Sequence, residues 1–256
     1  MKYFLDNVYC VYIAWFLIYQ AGLLPTHIKI LDIAAGPATV AYGLALFLYS
    51  TNSFFHIPQM HISYYSLDKQ DGFQFRGLQF WRKYIESQKT PVNAFFRFVT
   101  TDLLTWDSQL SHIPNDFFDF MVISHCFFAD SVKRTKANET YKEIFKTCLK
   151  DDAYVLLIVQ DKKLFKIYDT YQVEDHAQEK KLVNKMVEEM GLELVWYKYL
   201  ISTASRSPLS PAEFGKFARE NLPKQVYMNP ILQKCLSQKY QSHYTLDDYV
   251  ILAKKA

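Results

Sequence analysis

Acidic side chains recur along this chain directly after apolar segments, and they are the first candidates for chemistry. Asp32 follows the apolar segment 28–31, Asp68 follows 61–67, and Asp102 follows 95–100. If these segments are parallel strands, their carboxyl ends meet at one edge of a sheet, where α/β folds bind ligands. A carboxylate at that edge can accept hydrogen bonds from the hydroxyl or amino groups of a ligand. The spacing therefore predicts one binding site that the three residues share.

A turn of small residues separates the first apolar segment from a helical apolar pattern. Residues 32–38 read Asp-Ile-Ala-Ala-Gly-Pro-Ala. Small side chains let the backbone approach a ligand closely, and the N-terminus of the following helix offers unpaired N–H groups. Gly36 suits such a turn, whereas Ala34 and Ala38 can adopt a positive φ only at an energetic cost. This order of strand, turn and helix predicts a ligand site at Asp32, Ala34 and Gly36.

A histidine follows the fourth apolar segment, in the sequence Val-Ile-Ser-His-Cys-Phe-Phe-Ala-Asp at 122–130. An unperturbed histidine titrates near neutral pH, so His125 could act as a general base. The alternative is that His125 packs in the site or hydrogen-bonds a backbone carbonyl. Cys126 is predicted to be a packing residue rather than a nucleophile.

Alternating apolar and amphipathic segments indicate the elements that must position these residues. The alternation predicts a parallel sheet with helices on both faces. Strands are predicted at 28–33, 61–67, 95–100, 118–124, 154–159, 192–202 and 249–253, and helices at 38–49, 72–88, 136–149, 174–190 and 211–221. The aromatic and charged segment 160–171 is predicted to be a loop. We expect one domain over 1–256, with a helical cap at 1–26 and a proline-containing helical insertion at 203–247.

The first segment of the chain, residues 8–24, is nearly free of charge. It is shorter than the roughly 20 apolar residues of a membrane span. We predict a buried or ligand-covering helix, and a membrane or partner surface is the alternative. Its aromatic residues Tyr12, Trp15 and Tyr19 could contact a substrate, and aromatic faces suit a cation; a place in the core is the other interpretation.

Composition narrows the class of protein. The net charge is +3 over 256 residues, which is too small to indicate nucleic acid as a partner. The four cysteines include no Cys-x-x-Cys pair, so we predict neither a zinc site nor a disulfide framework. Free thiols are typical of a reducing cytosol, and we expect a cytoplasmic protein without a metal.

Together, these residues resemble those of the class I S-adenosylmethionine-dependent methyltransferases. The turn of that family usually reads Asp-x-Gly-x-Gly-x-Gly; Asp32 and the middle glycine, Gly36, are retained here, and Ala34 and Ala38 stand where glycine is usual. The resemblance implies a Rossmann-like, doubly wound α/β sheet of seven strands. It implies that the sheet is mostly parallel, with the last strand inserted antiparallel between its two predecessors.

The resemblance also implies the cofactor and its contacts. S-adenosylmethionine would be the methyl donor and S-adenosylhomocysteine the product, with Asp32 orienting bound groups near the turn formed by Ala34 and Gly36. By the same resemblance, Asp68 binds the ribose hydroxyls. Asp102 binds the adenine amino group, and Leu103 offers its backbone N–H to the ring. Ser124 lies at the end of the fourth strand, between the methyl donor and the acceptor.

The predicted function is methyl transfer to a small-molecule or peptide acceptor. An alternative is the branch of the family associated with the mitochondrial small ribosomal subunit, which the turn at 31–39 and the Ser124–His125 segment also resemble. Its expected metal-binding cysteines are missing, and so is the Asn/Asp-Pro-Pro-Tyr/Phe motif of many base methylases. A nicotinamide oxidoreductase would need Gly-x-Gly-x-x-Gly after the first strand. A non-catalytic binding protein of the same fold is the remaining alternative.

Overall fold

A computed structural model of the protein describes residues 4–52, 60–87, 89, 92–106, 112–171, 176–201 and 246–256. The predicted helix 211–221 and nearly all of the predicted insertion 203–247 lie outside these described residues. The division of 1–256 into one domain with two appendages stays a prediction.

Seven strands in the described part of the chain form one sheet, in the order β3-β2-β1-β4-β5-β7-β6. The strands are β1 His27–Ile33, β2 His61–Asp68, β3 Asn93–Thr100, β4 Phe118–Ser124, β5 Leu149–Gln160, β6 Leu192–Ile201 and β7 Asp247–Lys255. Neighbours from β3 to β5 pair in parallel. Strand β7 lies between β5 and β6 and is antiparallel to both. This confirms the predicted fold class, a Rossmann-like sheet that is mostly parallel with an antiparallel last strand.

Helices cover both faces of the sheet. Within the described residues they are α1 Phe4–Gln20, α2 Thr39–Asn52, α3 Asp71–Tyr84, α4 Ser131–Cys148, α5 Asp161–Ile167 and α6 His176–Glu189, with a 3-10 turn at Leu103–Thr105. Most predicted helices are present with shifted ends. Helix α4 begins five residues before the predicted 136, where Asp130 accepts a hydrogen bond from Lys133 N (2.9 Å) and caps it.

The prediction of a loop at 160–171 is wrong over Asp161–Ile167, which form helix α5. Leu164 and Ile167 are buried and three residues apart, so they share one helical face. A helix of this length shows barely two turns of the apolar period, and its lysines hide that period in the sequence. The helix begins directly where β5 ends, so Asp161 lies at the carboxyl edge of the sheet.

The sheet divides the core into two layers. Ile30 and Phe120 face the layer that contains α1 and α2, whereas their chain neighbours Leu31 and Met121 face the layer that contains α4 and α6. Successive residues of a strand point to opposite faces. Both faces are covered, which explains why the central strands read as continuous apolar segments.

Helix α1 packs within the first layer. Trp15 donates its Nε1–H to the carbonyl of Val40 (3.3 Å), and its ring meets Phe120 edge-on with the centroids 5.4 Å apart. A Cβ built on Gly43 of α2 would lie 2.6 Å from Cγ1 of Val11, so the absence of a side chain at Gly43 allows the close approach of the two helices. Among the described residues, none of the helices has the length and apolar character needed to cross a membrane.

Candidate functional site

The turn between β1 and α2 has an unusual backbone. Ala34, Gly36 and Ala38 have φ values of 58°, 53° and 63°. Ala34 N donates to the carbonyl of Leu67 (2.7 Å), which ties the turn to β2. A left-handed alanine costs about 1–2 kcal/mol, and such strain is concentrated at functional sites. The two alanines therefore adopt the conformation that glycine would adopt more cheaply.

Helix α3 supports the turn from the side. A Cβ built on Gly77 would lie 2.8 Å from the carbonyl oxygen of Pro37. The carbonyl of Gly77 accepts a hydrogen bond from the hydroxyl of Tyr42 (3.0 Å). The backbone of α3 and the backbone of the turn are therefore in direct contact, and helix α2 locks that contact.

Asp68 joins the end of β2 to the turn. Its Oδ2 accepts a hydrogen bond from Gly36 N (2.8 Å), and its Oδ1 accepts one from Gln70 N (2.7 Å). Each carboxylate oxygen has two lone pairs, so both oxygens can accept a further hydrogen bond from a ligand. The side chain is half-buried at the rim of a cavity.

Asp102, which follows β3, also fixes a neighbouring turn through a hydrogen bond to its carboxylate. Its Oδ1 accepts a hydrogen bond from Leu104 N (3.0 Å) and caps the 3-10 turn. Its Oδ2 lies 3.9 Å from Nζ of Lys69. Thr140 of α4 donates to the carbonyl of Leu103 (3.0 Å) and fixes the turn from the other side.

These residues surround a cavity of about 380 Å³ at the carboxyl end of the sheet. Five residues predicted from the sequence line it: Ala34, Gly36, Asp68, Asp102 and Leu103. It lies within the range of about 300–1,000 Å³ that is usual for small-ligand sites. The structure thus brings together residues from the ends of three strands.

Several residues that were not predicted from the sequence line the same cavity. They are Lys69, Gln70, Phe73, Thr101, Leu104, Phe128 and Lys133; Cys126 also lines it, although it was predicted only to pack. Phe73 is 43% exposed, an unusual position for a large apolar side chain. The available signal was its place one turn into the helix that follows Asp68.

Asp32 lies beneath the turn rather than on the cavity surface. The carboxylate is buried, its Oδ2 accepts a hydrogen bond from the hydroxyl of Tyr64, and its Oδ1 has no hydrogen-bond partner among the described residues. Burial raises the pKa of Asp32 to about 8, against the lowering effect of the Tyr64 hydrogen bond, and the nearby Asp68 charge adds to the rise.

Ser124 ends β4 at the same edge of the sheet, and His125 follows it directly. His125 has a φ of 61°, and its backbone N–H donates to the carbonyl of Ile158 (2.8 Å). Its Nδ1 lies 3.5 Å from Oδ1 of Asp248. Burial lowers the pKa of His125 to about 4 and raises that of Asp248 to about 7. Asp248 was not predicted from the sequence to belong to the site.

Comparison with known proteins finds similarity in overall structure and none in sequence. No protein-family model and no curated protein sequence matches the chain. A solved S-adenosylmethionine-dependent methyltransferase from Methanosarcina mazei has a TM-score of 0.50 and 17% identity, over 93% of this chain and 96% of that one. The chain has the fold of the class I S-adenosylmethionine-dependent methyltransferases.

Other solved structures are also similar. A methyltransferase from Clostridium acetobutylicum, described as S-adenosylmethionine-dependent, has a TM-score of 0.49 and 10% identity, over 95% of this chain and 90% of that one. The plantazolicin methyltransferase, solved with S-adenosylhomocysteine, has a TM-score of 0.46 and 14% identity, over 99% of this chain and 85% of that one.

Within this methyltransferase fold, the aromatic residues predicted to contact substrate lie away from the cavity. Tyr12 and Trp15 are buried in the layer between α1 and the sheet, and Tyr19 packs on Phe47 of α2. None of the three lines the cavity described above. Their observed contacts are those of core residues.

No group of three or more histidine, cysteine or acidic side chains in the described ranges is arranged to hold a metal ion. Cys10, Cys126 and Cys148 are free thiols.

Proposed function

We propose that the protein is an S-adenosylmethionine-dependent methyltransferase. The observation that carries the proposal is the environment of Asp68. Its carboxylate bridges the strained turn and α3 at the rim of a cavity of about 380 Å³, in a fold that places this rim at the carboxyl end of the sheet. A half-exposed carboxylate anchored by two backbone N–H groups is a rigid acceptor for a diol.

The residues of the cavity fit this cofactor. Asp68 would accept hydrogen bonds from the two ribose hydroxyls, and Asp102 from the adenine amino group, with the backbone N–H of Leu103 beside the ring. The turn at Ala34 and Gly36 would hold the methionine portion.

Asp32 and Ser124 would complete the site from below. In the described part of the chain, Oδ1 of Asp32 and Oγ of Ser124 are buried without a hydrogen-bond partner. Buried polar atoms are nearly always satisfied, so such orphans call for a bound group or an ordered water. The two atoms lie at the ends of neighbouring strands, β1 and β4.

When bound, the cofactor supplies an electrophilic methyl carbon, and the chain must align the acceptor and exclude water. Phe73 and Phe128 present apolar surface to the cavity and would keep water from the reacting atoms. His125 would accept a proton where the acceptor carries one.

We further propose that the acceptor is a small molecule or a peptide. The cavity has both aromatic and lysine side chains, Phe73 and Phe128 with Lys69 and Lys133, and the net charge of +3 is too small for a nucleic-acid surface.

Titration calorimetry tests the cofactor assignment. We expect wild-type protein to bind S-adenosylmethionine and S-adenosylhomocysteine, and Asp68→Ala to weaken binding by about tenfold or more, because hydrogen bonds to a charged group contribute about 1.5–3 kcal/mol. Asp71→Ala is the matched control, since Asp71 is an exposed carboxylate three residues away that does not line the cavity.

Two results would count against the assignment. If the protein binds NAD tightly and binds neither S-adenosylmethionine nor S-adenosylhomocysteine, the cofactor is NAD and the assignment is wrong. Unchanged affinity in Asp68→Ala, together with a lower melting temperature, would make Asp68 a purely structural link between β2 and the turn.

A further inference from the structure

His125 and Asp248 come from strands on opposite sides of β5. His125 follows β4, and its backbone N–H donates to Ile158 of β5. Asp248 is the second residue of β7 and pairs with Gln160, the last residue of β5. Because β7 is antiparallel to β5, its first residues lie at the edge where β4 and β5 end. The two side chains meet there, with Nδ1 and Oδ1 separated by 3.5 Å.

The pair is costly for the folded chain. The side chains of His125 and Asp248 are only 17% and 9% exposed. Within the described part of the chain, the two ring nitrogens of His125 make no hydrogen bond, and Oδ1 of Asp248 makes none either. Oδ2 of Asp248 accepts a hydrogen bond from Asp247 N (3.3 Å). A buried polar group without a partner costs about 1–3 kcal/mol, and a left-handed non-glycine residue costs about 1–3 kcal/mol more. An apolar side chain could fill the same space without unpartnered polar atoms, so packing alone does not explain a histidine at this position.

The pair adjoins the proposed cofactor cavity. Cys126, the next residue after His125, lines the cavity. The hydroxyl of Tyr141 donates to the carbonyl of Cys126 (3.0 Å) and fixes this segment to α4. His125 is therefore the chain neighbour of a residue that lines the cavity, and it follows β4, the strand that separates β1 from β5.

We propose that Asp248 is the positioning residue that orients His125 as the proton acceptor of the transfer, and that the methyl acceptor carries a proton on its nucleophilic atom, as a hydroxyl or ammonium group does. This inference rests on the proposed function. Asp248 then joins the residues of the site, and the acceptor belongs to the class of hydroxyl or ammonium compounds.

The chemistry follows from the orientation of the ring. When Asp248 accepts the Nδ1–H bond, Nε2 keeps its lone pair and can take a proton. The O–H or N–H bond of the acceptor breaks, and its proton moves to Nε2. The lone pair of the acceptor atom forms a bond to the methyl carbon, while the C–S bond breaks and its electrons stay on sulfur. The products are the methylated acceptor, a neutral thioether and an imidazolium, so no further reactant is needed.

Burial disfavours the imidazolium that forms, so carboxylates near the pair have to offset that cost. Asp6 of α1 and Asp161 at the start of α5 act electrostatically on Asp248, as does its neighbour Asp247. The thiol of Cys10 on α1 also lies within reach of the Asp248 charge. The positive groups near this edge, Lys69 and Lys163, act on Cys126. The groups that act on Asp248 itself are therefore neutral or acidic, and ionised carboxylates stabilise a cation.

The pH dependence has a definite sign. The pKa of His125 is lowered to about 4 and that of Asp248 is raised to about 7, both by burial. Between these values the pair holds one proton, on the carboxyl side. Above pH 7 Asp248 is ionised, the imidazole is neutral, and the base is competent. We expect turnover to rise with pH through about 7.

Histidine ¹⁵N NMR on the free wild-type protein is the first test, because it needs neither cofactor nor acceptor. We expect the His125 ring to carry its proton on Nδ1 above pH 7, and its nitrogen shifts to respond to a titration near pH 7. In Asp248→Asn that response should disappear. In Asp151→Asn, which changes an exposed carboxylate at the start of β5, it should remain. A ring protonated on Nε2, or one insensitive to pH near 7, would overturn the inference.

Turnover is the second test, with an acceptor found by mass spectrometry of cell extract incubated with enzyme and labelled S-adenosylmethionine. We expect His125→Gln to lower turnover by about 10²-fold or more and Asp248→Asn by about tenfold or more, with cofactor affinity retained. The double variant should be no slower than His125→Gln, because Asp248 acts through the ring.

The outcomes separate the two proposals. Wild-type protein that does not bind S-adenosylmethionine contradicts the function itself. Binding with a flat pH profile, with additive losses in the double variant, or with a thioether or tertiary amine as the acceptor overturns only the role of the His125–Asp248 pair.

Discussion

The carboxylates of this site share a residue type but differ in environment, and the environment decides what each can do. Asp68 accepts hydrogen bonds from two backbone N–H groups and Asp102 from one, and both residues line the cavity. Asp32 and Asp248 are buried, and burial raises the pKa of both. The first pair is suited to accepting hydrogen bonds from a ligand. The second pair is suited to holding or releasing a proton.

Asp32 should make the protein less stable as the pH rises. Its folded pKa of about 8 lies above the value near 4 of an unfolded aspartate. The folded chain therefore binds this proton more tightly, and the stabilisation is complete below pH 4 and is lost as the pH rises through 8. Asp32→Asn keeps an acceptor for Tyr64 without the ionisable proton. We expect its melting temperature to exceed that of wild type at pH 8, with a smaller difference at pH 5, and its cofactor affinity to fall.

Asp119→Asn provides a control of opposite sign for that experiment. Asp119 accepts a hydrogen bond from Lys29 N (2.8 Å) and forms an ion pair with Lys150. Loss of that ion pair should lower the melting temperature at pH 8. If Asp32→Asn is also less stable than wild type at pH 8, and not at pH 5, then Asp32 is ionised in the fold and the argument from burial is wrong.

At the scale of elements, the geometry of the turn depends on how closely α3 can approach it. Gly77→Ala places a methyl group 2.8 Å from the Pro37 carbonyl oxygen, where backbone lies on both sides and cannot yield cheaply. We expect the free energy of unfolding to fall by about 1–3 kcal/mol, and S-adenosylmethionine affinity to fall by about tenfold or more, because α3 must move away from the turn. Calorimetry and chemical denaturation measure the two effects.

Gly72→Ala is the matched control, in the same helix. A Cβ at Gly72 meets no atom within 4 Å, and removing a helical glycine stabilises by about 0.4–1 kcal/mol. We therefore expect equal or higher stability and unchanged affinity. Equal losses in both variants would show that α3 responds to any added side chain, and contact with the turn would not be the cause.

Local sequence predicted the elements well and the site in part, for physical reasons. Strands buried on both faces, such as β1 and β4, are apolar throughout and are recognisable alone. Asp68 and Asp102 were predictable because strand ends converge in any parallel sheet. Helix α5 was missed because two turns carry too little periodicity. Asp248 was missed because it resembles an ordinary polar residue at the start of a strand, and only the antiparallel pairing of β7 with β5 brings it to His125.

At the scale of the whole molecule, the site lies where the two layers meet. The turn and α3 belong to the layer of α1 and α2, whereas Thr140, Tyr141 and Cys126 connect the cavity to α4 in the other layer. Aromatic residues are 17% of the chain, and many are used inside these layers, such as Trp15 on Phe120 and Tyr65 on Phe118. The single sheet is the element that both layers share, so its integrity should couple them.

Trp15→Ala tests that coupling. Trp15 is completely buried, packs on Phe120 of β4 and donates to the Val40 carbonyl. Removing a buried aromatic side chain costs about 3–5 kcal/mol, and β4 carries residues of both layers. We expect hydrogen-exchange protection to fall by the same free energy at Met121 in the sheet and at Val187 in α6, on the opposite face. Val132→Ala, at a side chain that is 76% exposed, should change neither amide.

The same variant also tests whether Trp15 contacts a ligand. Because Trp15 does not line the cavity, the folded fraction of Trp15→Ala should bind S-adenosylmethionine, and transfer methyl groups, with wild-type constants once temperature is lowered to restore folding. Lost protection confined to α1 and α2 would mean that the layers unfold separately. A changed KM for the acceptor in fully folded protein would instead show that helix α1 reaches the substrate, through a rearrangement that exposes a side chain now sealed between two helices and the sheet.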